Sequence, residues 1–440
     1  MTDPDATQLG EQARRLNISV EALRTYLDAG RGKAAAGVVR AFHITAKPVG
    51  SACNLDCDYC YYLSKEGLLR QANQRIREDL LERFIAEYVA AQDGEEIAFT
   101  WHGGEPTLLG LDFFRSVVRL QAKHLPLGRR ISNDLQTNGT LLDDDWCEFL
   151  AEHGFLVGLS LDGPRAVHER HRPTKAGASS FDAVVGAAQR LRRHGVTCST
   201  LTVVSRESPA HALEIYRFLR DGIGSVYMQF IPCVEPQDFR HTDALHLPEA
   251  ALVKADSPRT APGHPLSVVT PWSVSPEGWG EFLVAVWREW SAHDRGRVRI
   301  NLFENLFALQ AGQPAHLCTH APVCGKNLAL EHDGRVYACD HFVYPAHEVG
   351  RIGEQTLAGM VFSLRQLEFG LAKFNRLPTQ CKRCEYLKLC WGECPRTRIL
   401  QAETGDGAIS WLCAGWKAFY RQAVGVRARS RPAREEARAK

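Results

Sequence analysis

Cys53-Asn54-Leu55-Asp56-Cys57-Asp58-Tyr59-Cys60 puts three cysteines on one short stretch, spaced C-x3-C-x2-C. An iron–sulfur cube has four iron corners and is normally held by four cysteine thiolates. Three thiolates on one tight loop leave one iron open, and an open iron can bind a small molecule. A partial zinc site is the alternative, but structural zinc normally takes four ligands.

Outward from this loop, β-branched and apolar runs alternate with helical patterns. The strand-like runs are 41–49, 97–101, 131–137, 155–162, 196–204 and 226–231, and helical stretches lie near 77–91, 111–123, 144–152, 181–193 and 210–219. Such alternation predicts parallel strands with right-handed crossovers. The units fall short of the eight that close a full barrel, so a partial (β/α)6 barrel is expected. Residues 1–40 form an extension with a short helix around 20–27 started by Ser19. Residues 41–275 form the barrel, ending in a long loop at 236–275. A helix near 279–292 opens a second, cysteine-rich domain at 276–425, and 426–440 is a basic tail expected to fray.

Hydrophobic content of 45% and charged content of 24% are those of an ordinary soluble protein. A net charge of +2 with no basic face points away from nucleic acid. No signal peptide opens the chain and no apolar run approaches membrane-helix length, so a cytoplasmic, membrane-free protein is expected. In a reducing compartment fourteen cysteines read as metal ligands rather than disulfides. Cys147, Cys198 and Cys233 fall outside the spaced groups, and Cys147 and Cys198 read as thiols without a role.

Ligands of parallel α/β folds gather at the carboxyl ends of the strands. The cysteine loop follows the first strand, and Gly103-Gly104-Glu105-Pro106 follows the second. Paired glycines permit close backbone approach and free a carbonyl for a ligand ammonium. Gln136-Thr137-Asn138-Gly139 and Ser160-Leu161-Asp162-Gly163 end the next two strands, as polar contacts to a ligand or as turns and caps. Arg172, in the run His168–Arg172, can fork onto a ligand carboxylate. Cys318, Cys324, Cys339, Cys381, Cys384, Cys390, Cys394 and Cys413 suffice for two fully ligated [4Fe–4S] clusters. Zinc ribbons use similar pairs, but the first motif weighs toward iron–sulfur.

From about Ala41 to Ala423 the chain resembles the anaerobic sulfatase-maturating enzymes, which join a radical S-adenosylmethionine (SAM) barrel to a SPASM module. The residues carrying the likeness are Cys53–Tyr62, Gly103–Leu108, Leu135–Thr140, Phe155–Pro164, Gln229–Ile231, Val336–Asp340 and the later cysteine array. The resemblance implies an α/β fold, a partial (β/α)6 radical SAM barrel followed by a C-terminal SPASM-type iron–sulfur cluster domain. It implies three [4Fe–4S] clusters: one on Cys53, Cys57 and Cys60 with SAM on the open iron, one on Cys318, Cys324, Cys339 and Cys394, and one on Cys381, Cys384, Cys390 and Cys413. SAM would meet Tyr59, Gly104, Ser160, Arg172 and the backbone near Val234.

The implied reaction is oxidation of a sulfatase cysteine or serine to Cα-formylglycine under anaerobic conditions. A 5′-deoxyadenosyl radical would remove a Cβ hydrogen, Asp340 would take the thiol or hydroxyl proton, and an electron donor such as flavodoxin or ferredoxin would supply reductant. The alternative for Asp340 is a cap or an ion pair with Arg335 or Lys326. Departures from the family are the extension, the 236–275 loop, and His102 where relatives often have glutamine; His102 reads as a satisfied strand-end histidine. The rival function is a SPASM maturase forming a thioether or another C–H oxidation in a ribosomally made peptide.

Overall fold

The computed structural model describes residues 6–31, 40–62, 65, 75–237 and 251–425. The tail expected at 426–440, and parts of the extension and of the 236–275 loop, lie outside the described residues. Strands β1 (His43–Lys47), β2 (Glu96–Trp101), β3 (Arg130–Thr137), β4 (Leu156–Ser160), β5 (Cys198–Val204) and β6 (Tyr227–Pro232) lie side by side in chain order. Every neighbouring pair is parallel, as the β/α alternation requires.

The strands sort their side chains by period two. On β2, Ile97, Phe99 and Trp101 are buried, and Phe99 and Trp101 pack with Phe84, Tyr88 and Phe114 of helices Glu78–Ala91 and Leu111–His124. Half-buried polar side chains occupy several alternate positions: Thr100 donates to Asp134 at 3.3 Å, and Gln136 donates to Ser160 at 3.0 Å. The apolar face of β2 takes the helices, and polar side chains gather at the ends of β2, β3 and β4 on the alternate positions. Helix starts are fixed locally: Asp143 accepts from the Trp146 N–H at 2.9 Å, and Ser275 accepts from Gly278 at 3.0 Å ahead of Pro276.

The sheet has ten strands among the described residues and does not stop at 275. Strand β7 (Arg299–Ile300) extends it in parallel beyond β6, and β8 (Asn327–Glu331) adds in parallel beside β1. Strands β9 (Arg335–Tyr337) and β10 (Glu348–Arg351) continue antiparallel. The boundary expected at 275/276 therefore runs through a shared sheet. Helix Pro276–His293 buries Trp279, Trp287 and Trp290, which pack on Phe303 and on Trp416 and Phe419 of the last helix.

Residues 251–275 are an irregular connection with one short 3-10 turn, Pro258–Thr260, bridged to 236 and to the strand at Leu400. Ser19 does cap a helix, which runs Val20–Gly30, and a second helix, Ala6–Leu16, precedes it. Leu9, Ala13, Leu16 and Leu23 pack against Leu364, Leu367 and Leu371, so the extension docks on the cysteine-rich half. Its apolar stripe is narrow and set among charges, which hid the first helix from the sequence.

Candidate active site

The expected SAM contacts lie at the carboxyl edge of β1–β6: Ser160 ends β4, and Tyr59, Gly104, Arg172 and Val234 follow strand ends. The cysteine loop is stitched to the segment after β4: Asp56 N–H donates to Pro173 at 2.9 Å and Asp58 N–H to His171 at 3.1 Å. Cys60 N–H turns back onto Cys57 at 3.0 Å. Asn138, at the end of β3, donates to Asn54 at 2.8 Å, with the same nitrogen 3.8 Å from the Cys53 sulfur. These contacts brace the loop.

The Gly-Gly turn presses directly on that loop. Gly104 N–H donates to Gly50 at 2.7 Å, Glu105 N–H donates to Ala52 at 2.8 Å, and a Cβ on Gly104 would lie 1.9 Å from the Ala52 carbonyl oxygen. No other residue fits there. Glu105 is buried and accepts from Thr107 N–H and hydroxyl at 3.1 and 2.6 Å, Thr137 at 2.7 Å and Asn138 N–H at 2.7 Å. It ties the end of β2 to the end of β3. Sequence reading missed it, though an acid directly after paired glycines at a strand end was a visible signal.

Tyr59, Asp162 and Arg172 form a buried group. Arg172 forks onto Asp162 through Nε at 2.8 Å and Nη2 at 3.0 Å, Tyr59 donates its hydroxyl to the same carboxylate, and Val203 N–H adds 2.9 Å. Burial alone would raise the Asp162 carboxyl, but the Arg172 charge and these hydrogen bonds hold it below the ordinary range. The bidentate face of Arg172 thus engages Asp162, and Asp162 is a hub rather than a turn residue. Ser160 is half-buried and accepts from Gln136. Val234 is buried just past β6, beside Cys233, whose N–H donates to Val204 at 2.9 Å.

Asp340 stands where the two halves meet. Lys47 Nζ, fully buried at the end of β1, lies 2.6 Å from Asp340 Oδ1, off the axis of a hydrogen bond, and Tyr61 donates to Oδ2 at 2.8 Å. Burial pushes this carboxyl up; Lys47, His102 and His341 outweigh it and hold the acid well below the carboxylate range. The alternative from sequence, an ion pair with Arg335 or Lys326, has another cation in its place: Lys47 faces Asp340, while Arg335 faces Asp333 at 3.3 Å and Glu348 at 4.0 Å. Lys47 ends a buried strand directly before the cysteine loop, a cation in an apolar run that the sequence reading passed over. His102 is satisfied as expected, accepting from Gly103 N–H at 2.7 Å, and burial lowers it to about 4. Lys47 Nζ is 3.5 Å from the same ring nitrogen.

The remaining thiols of the expected sets are half-buried or exposed, and burial pushes the Cys339 thiol well up. Cys381, Cys384, Cys390 and Cys413 line one cavity with Tyr386, Trp416 and Tyr420. Burial pushes Cys53 and Cys324 to about 11 and Cys57 and Cys390 to about 12. Left alone they are neutral thiols; a bound metal centre deprotonates its cysteines outright, so these buried groups suit cluster ligation. Among the described residues no three such side chains converge on a single ion. Cys147 is buried in the outer core and Cys198 is half-buried on β5.

Residues 48–219 match the profile of the Radical SAM superfamily, and residues 318–385 match that of the SPASM iron–sulfur cluster-binding domain. A serine-type anaerobic sulfatase-maturating enzyme of Bacteroides thetaiotaomicron is 40% identical over 86% of this chain and 88% of its own. A cysteine-type enzyme of Clostridium perfringens is 31% identical over 86% of this chain and 95% of its own. The solved structure of native anSMEcpe with bound AdoMet and Kp18Cys peptide superimposes with a TM-score of 0.72 at 29% identity, covering 87% of this chain and 96% of that one. By its sequence over most of its length and by its fold, this chain belongs to the anaerobic sulfatase-maturating enzymes of the radical SAM superfamily.

Proposed function

We propose that this enzyme oxidises a serine of a sulfatase to Cα-formylglycine, with cysteine as the second substrate. Serine is placed first because identity is 40% to the serine-type relative and 31% to the cysteine-type. Bound at the Cys53, Cys57 and Cys60 loop, a reduced [4Fe–4S] cluster and SAM supply one-electron cleavage and hydrogen abstraction. Gly104, Ser160 and the Val234 backbone line the edge that would receive SAM. Tyr59 and Arg172 would act there as one rigid body with Asp162, leaving the outer nitrogen of Arg172 for a carboxylate.

One hydrogen bond carries the reading: Tyr61, next to Cys60, donates to Asp340, next to Cys339, at 2.8 Å. It sets the proposed proton acceptor beside the radical-generating loop. A carboxylate oxygen accepts more than one hydrogen bond, so Asp340 can receive the target hydroxyl while still paired to Lys47. Its low proton affinity keeps it ionised, and it takes the proton once the adjacent carbon has lost hydrogen and the hydroxyl has become more acidic. Burial of Lys47 against Asp340 marks the place where the two halves close together, which would keep bulk water away from the reacting carbon.

The auxiliary sets, Cys318, Cys324, Cys339 and Cys394 and then Cys381, Cys384, Cys390 and Cys413, would hold two further clusters that take up the second electron. A flavodoxin or ferredoxin in the cytoplasm is the proposed donor, with no nucleic acid or membrane involved. Among the described residues no helix is long and apolar enough to cross a membrane. The test is anaerobic incubation of reconstituted enzyme with SAM, dithionite and paired serine and cysteine peptides of a sulfatase motif, read by mass spectrometry. The aldehyde should form faster from the serine peptide. A thioether product in place of aldehyde would favour the peptide-maturase reading.

A further inference from the structure

Between the two auxiliary thiol sets lies a loop with an unusual backbone. Trp391, Gly392 and Glu393 all have positive φ, at 49°, 69° and 58°. Two of these are not glycine, and a tryptophan in this region is strained. The loop runs from Cys390, assigned to one auxiliary set, to Cys394, assigned to the other. Its left-handed turn brings three successive carbonyls onto one side chain: Arg398 donates to Gly392 at 2.9 Å, Trp391 at 3.0 Å and Glu393 at 3.2 Å. The remaining nitrogen donates to the Lys373 carbonyl at 2.7 Å. Lys373, fully buried, donates in turn to the Cys318 and Thr319 carbonyls, each at 2.7 Å.

Two buried cations thus stand in series, and among the described residues neither forms an ion pair. Glu393, the acid nearby, turns its carboxyl to Thr397 and Ser410 instead. Burying an unpaired charge is costly, and carbonyl dipoles offset only part of that cost. The missing negative charge fits clusters held by four thiolates each. The Arg398 charge lies within electrostatic reach of Cys394 and Cys324 of one set, Cys381 of the other and Glu393, and Lys373 of Cys318, Cys324 and Glu393, so one buried acid faces two cations.

We propose that Arg398 and Lys373 are the built-in counter-charges of the auxiliary clusters, clasping the loop that joins them and raising their reduction potentials so that they accept the substrate electron. The inference rests on the auxiliary-cluster reading. A positive charge beside a cluster stabilises its more reduced, more negative form, and net charge is one of the levers that set such potentials. Both are positioning residues, since their hydrogen bonds go to backbone carbonyls around the thiol sets.

The test uses full-length, anaerobically reconstituted protein with Arg398→Met, Lys373→Met, Arg398→Lys and Lys373→Arg. Iron content is measured first, then each auxiliary midpoint by reductive titration followed by electron paramagnetic resonance. The methionine variants should shift midpoints to more negative values, Arg398→Met in both clusters and Lys373→Met mainly in the cluster of Cys318. The charge-keeping variants should stay near the parent. Parent midpoints in methionine variants that keep their iron would overturn the proposal. If Arg398→Met loses auxiliary iron, Arg398→Lys decides: retained iron at the parent midpoint supports the counter-charge, and equal loss shows that only the hydrogen-bonding fork matters. A parent protein lacking auxiliary iron would instead remove the cluster assignment itself.

Discussion

The two cysteine regions solve the same chemical problem in opposite ways. Cys53, Cys57 and Cys60 come from one turn, and the rest of the barrel edge supports that turn through backbone contacts from Gly104, Glu105, Pro173 and His171. The auxiliary thiols are gathered from positions 318 to 413, so their sites exist only when the sheet, the helices and the 390–394 loop are in place. A local site can lose its metal and keep its fold. A dispersed site is part of the fold, because metal binding there is also folding free energy.

The sharpest way to break this contrast is the triple change of Cys53, Cys57 and Cys60 to alanine. SAM cleavage should vanish while about eight of twelve irons remain, as two clusters of four, and the melting temperature stays near the parent. Measured iron, 5′-deoxyadenosine and melting on one preparation decide it; residual SAM cleavage would move the active cluster elsewhere. Asp340→Asn comes next. Here 5′-deoxyadenosine should still form, while peptide aldehyde falls by ~10²–10⁴, the usual effect of losing a proton acceptor. An equal fall in both products would make Asp340 structural.

On the dispersed side, Cys381→Ala with Cys384→Ala should remove iron and loosen the C-terminal half together, seen as early proteolysis there. Full iron content, or zinc in its place, would contradict the assignment. Arg172→Met leaves Asp162 buried without its cation and should cost about 3–5 kcal/mol in thermal or denaturant unfolding. The sign with pH follows from the depressed Asp162 carboxyl. Its contribution is present above the unfolded value of about 4. It fades as pH falls toward the lower folded value, so parent and variant should converge in acid. The smallest effect is at a helix start: Ser275→Ala should cost about 1 kcal/mol in unfolding, with SAM cleavage kept.

Much of the barrel could be read directly. Helices Asp144–Glu152 and Phe181–Arg193 lie where the apolar period placed them, and strands β2 and β3 begin within one residue of the reading. The helix expected at 210–219 is instead a short α-helix, Ala212–Arg217, running into a π-turn at Phe218–Ile223. Harder to see were residues whose partners are distant in sequence. Lys47 drew no notice in the sequence, because its partner Asp340 lies 293 residues away. The fork of Arg172 onto Asp162 was likewise not legible.

The sequence by itself determined the spacing of the three-cysteine loop, the glycine at 104 and the β/α order, since each depends on neighbours along the chain. Covalent spacing and side-chain period act over a few residues and leave their mark there. Only the tertiary structure decided that β7 and β8 extend the barrel sheet across the expected boundary, that Lys47 faces Asp340, and that Arg398 clasps the loop between the auxiliary sets. Those outcomes depend on burial. A buried charge takes whatever partner the packed interior brings within reach, and no local pattern records which one that is.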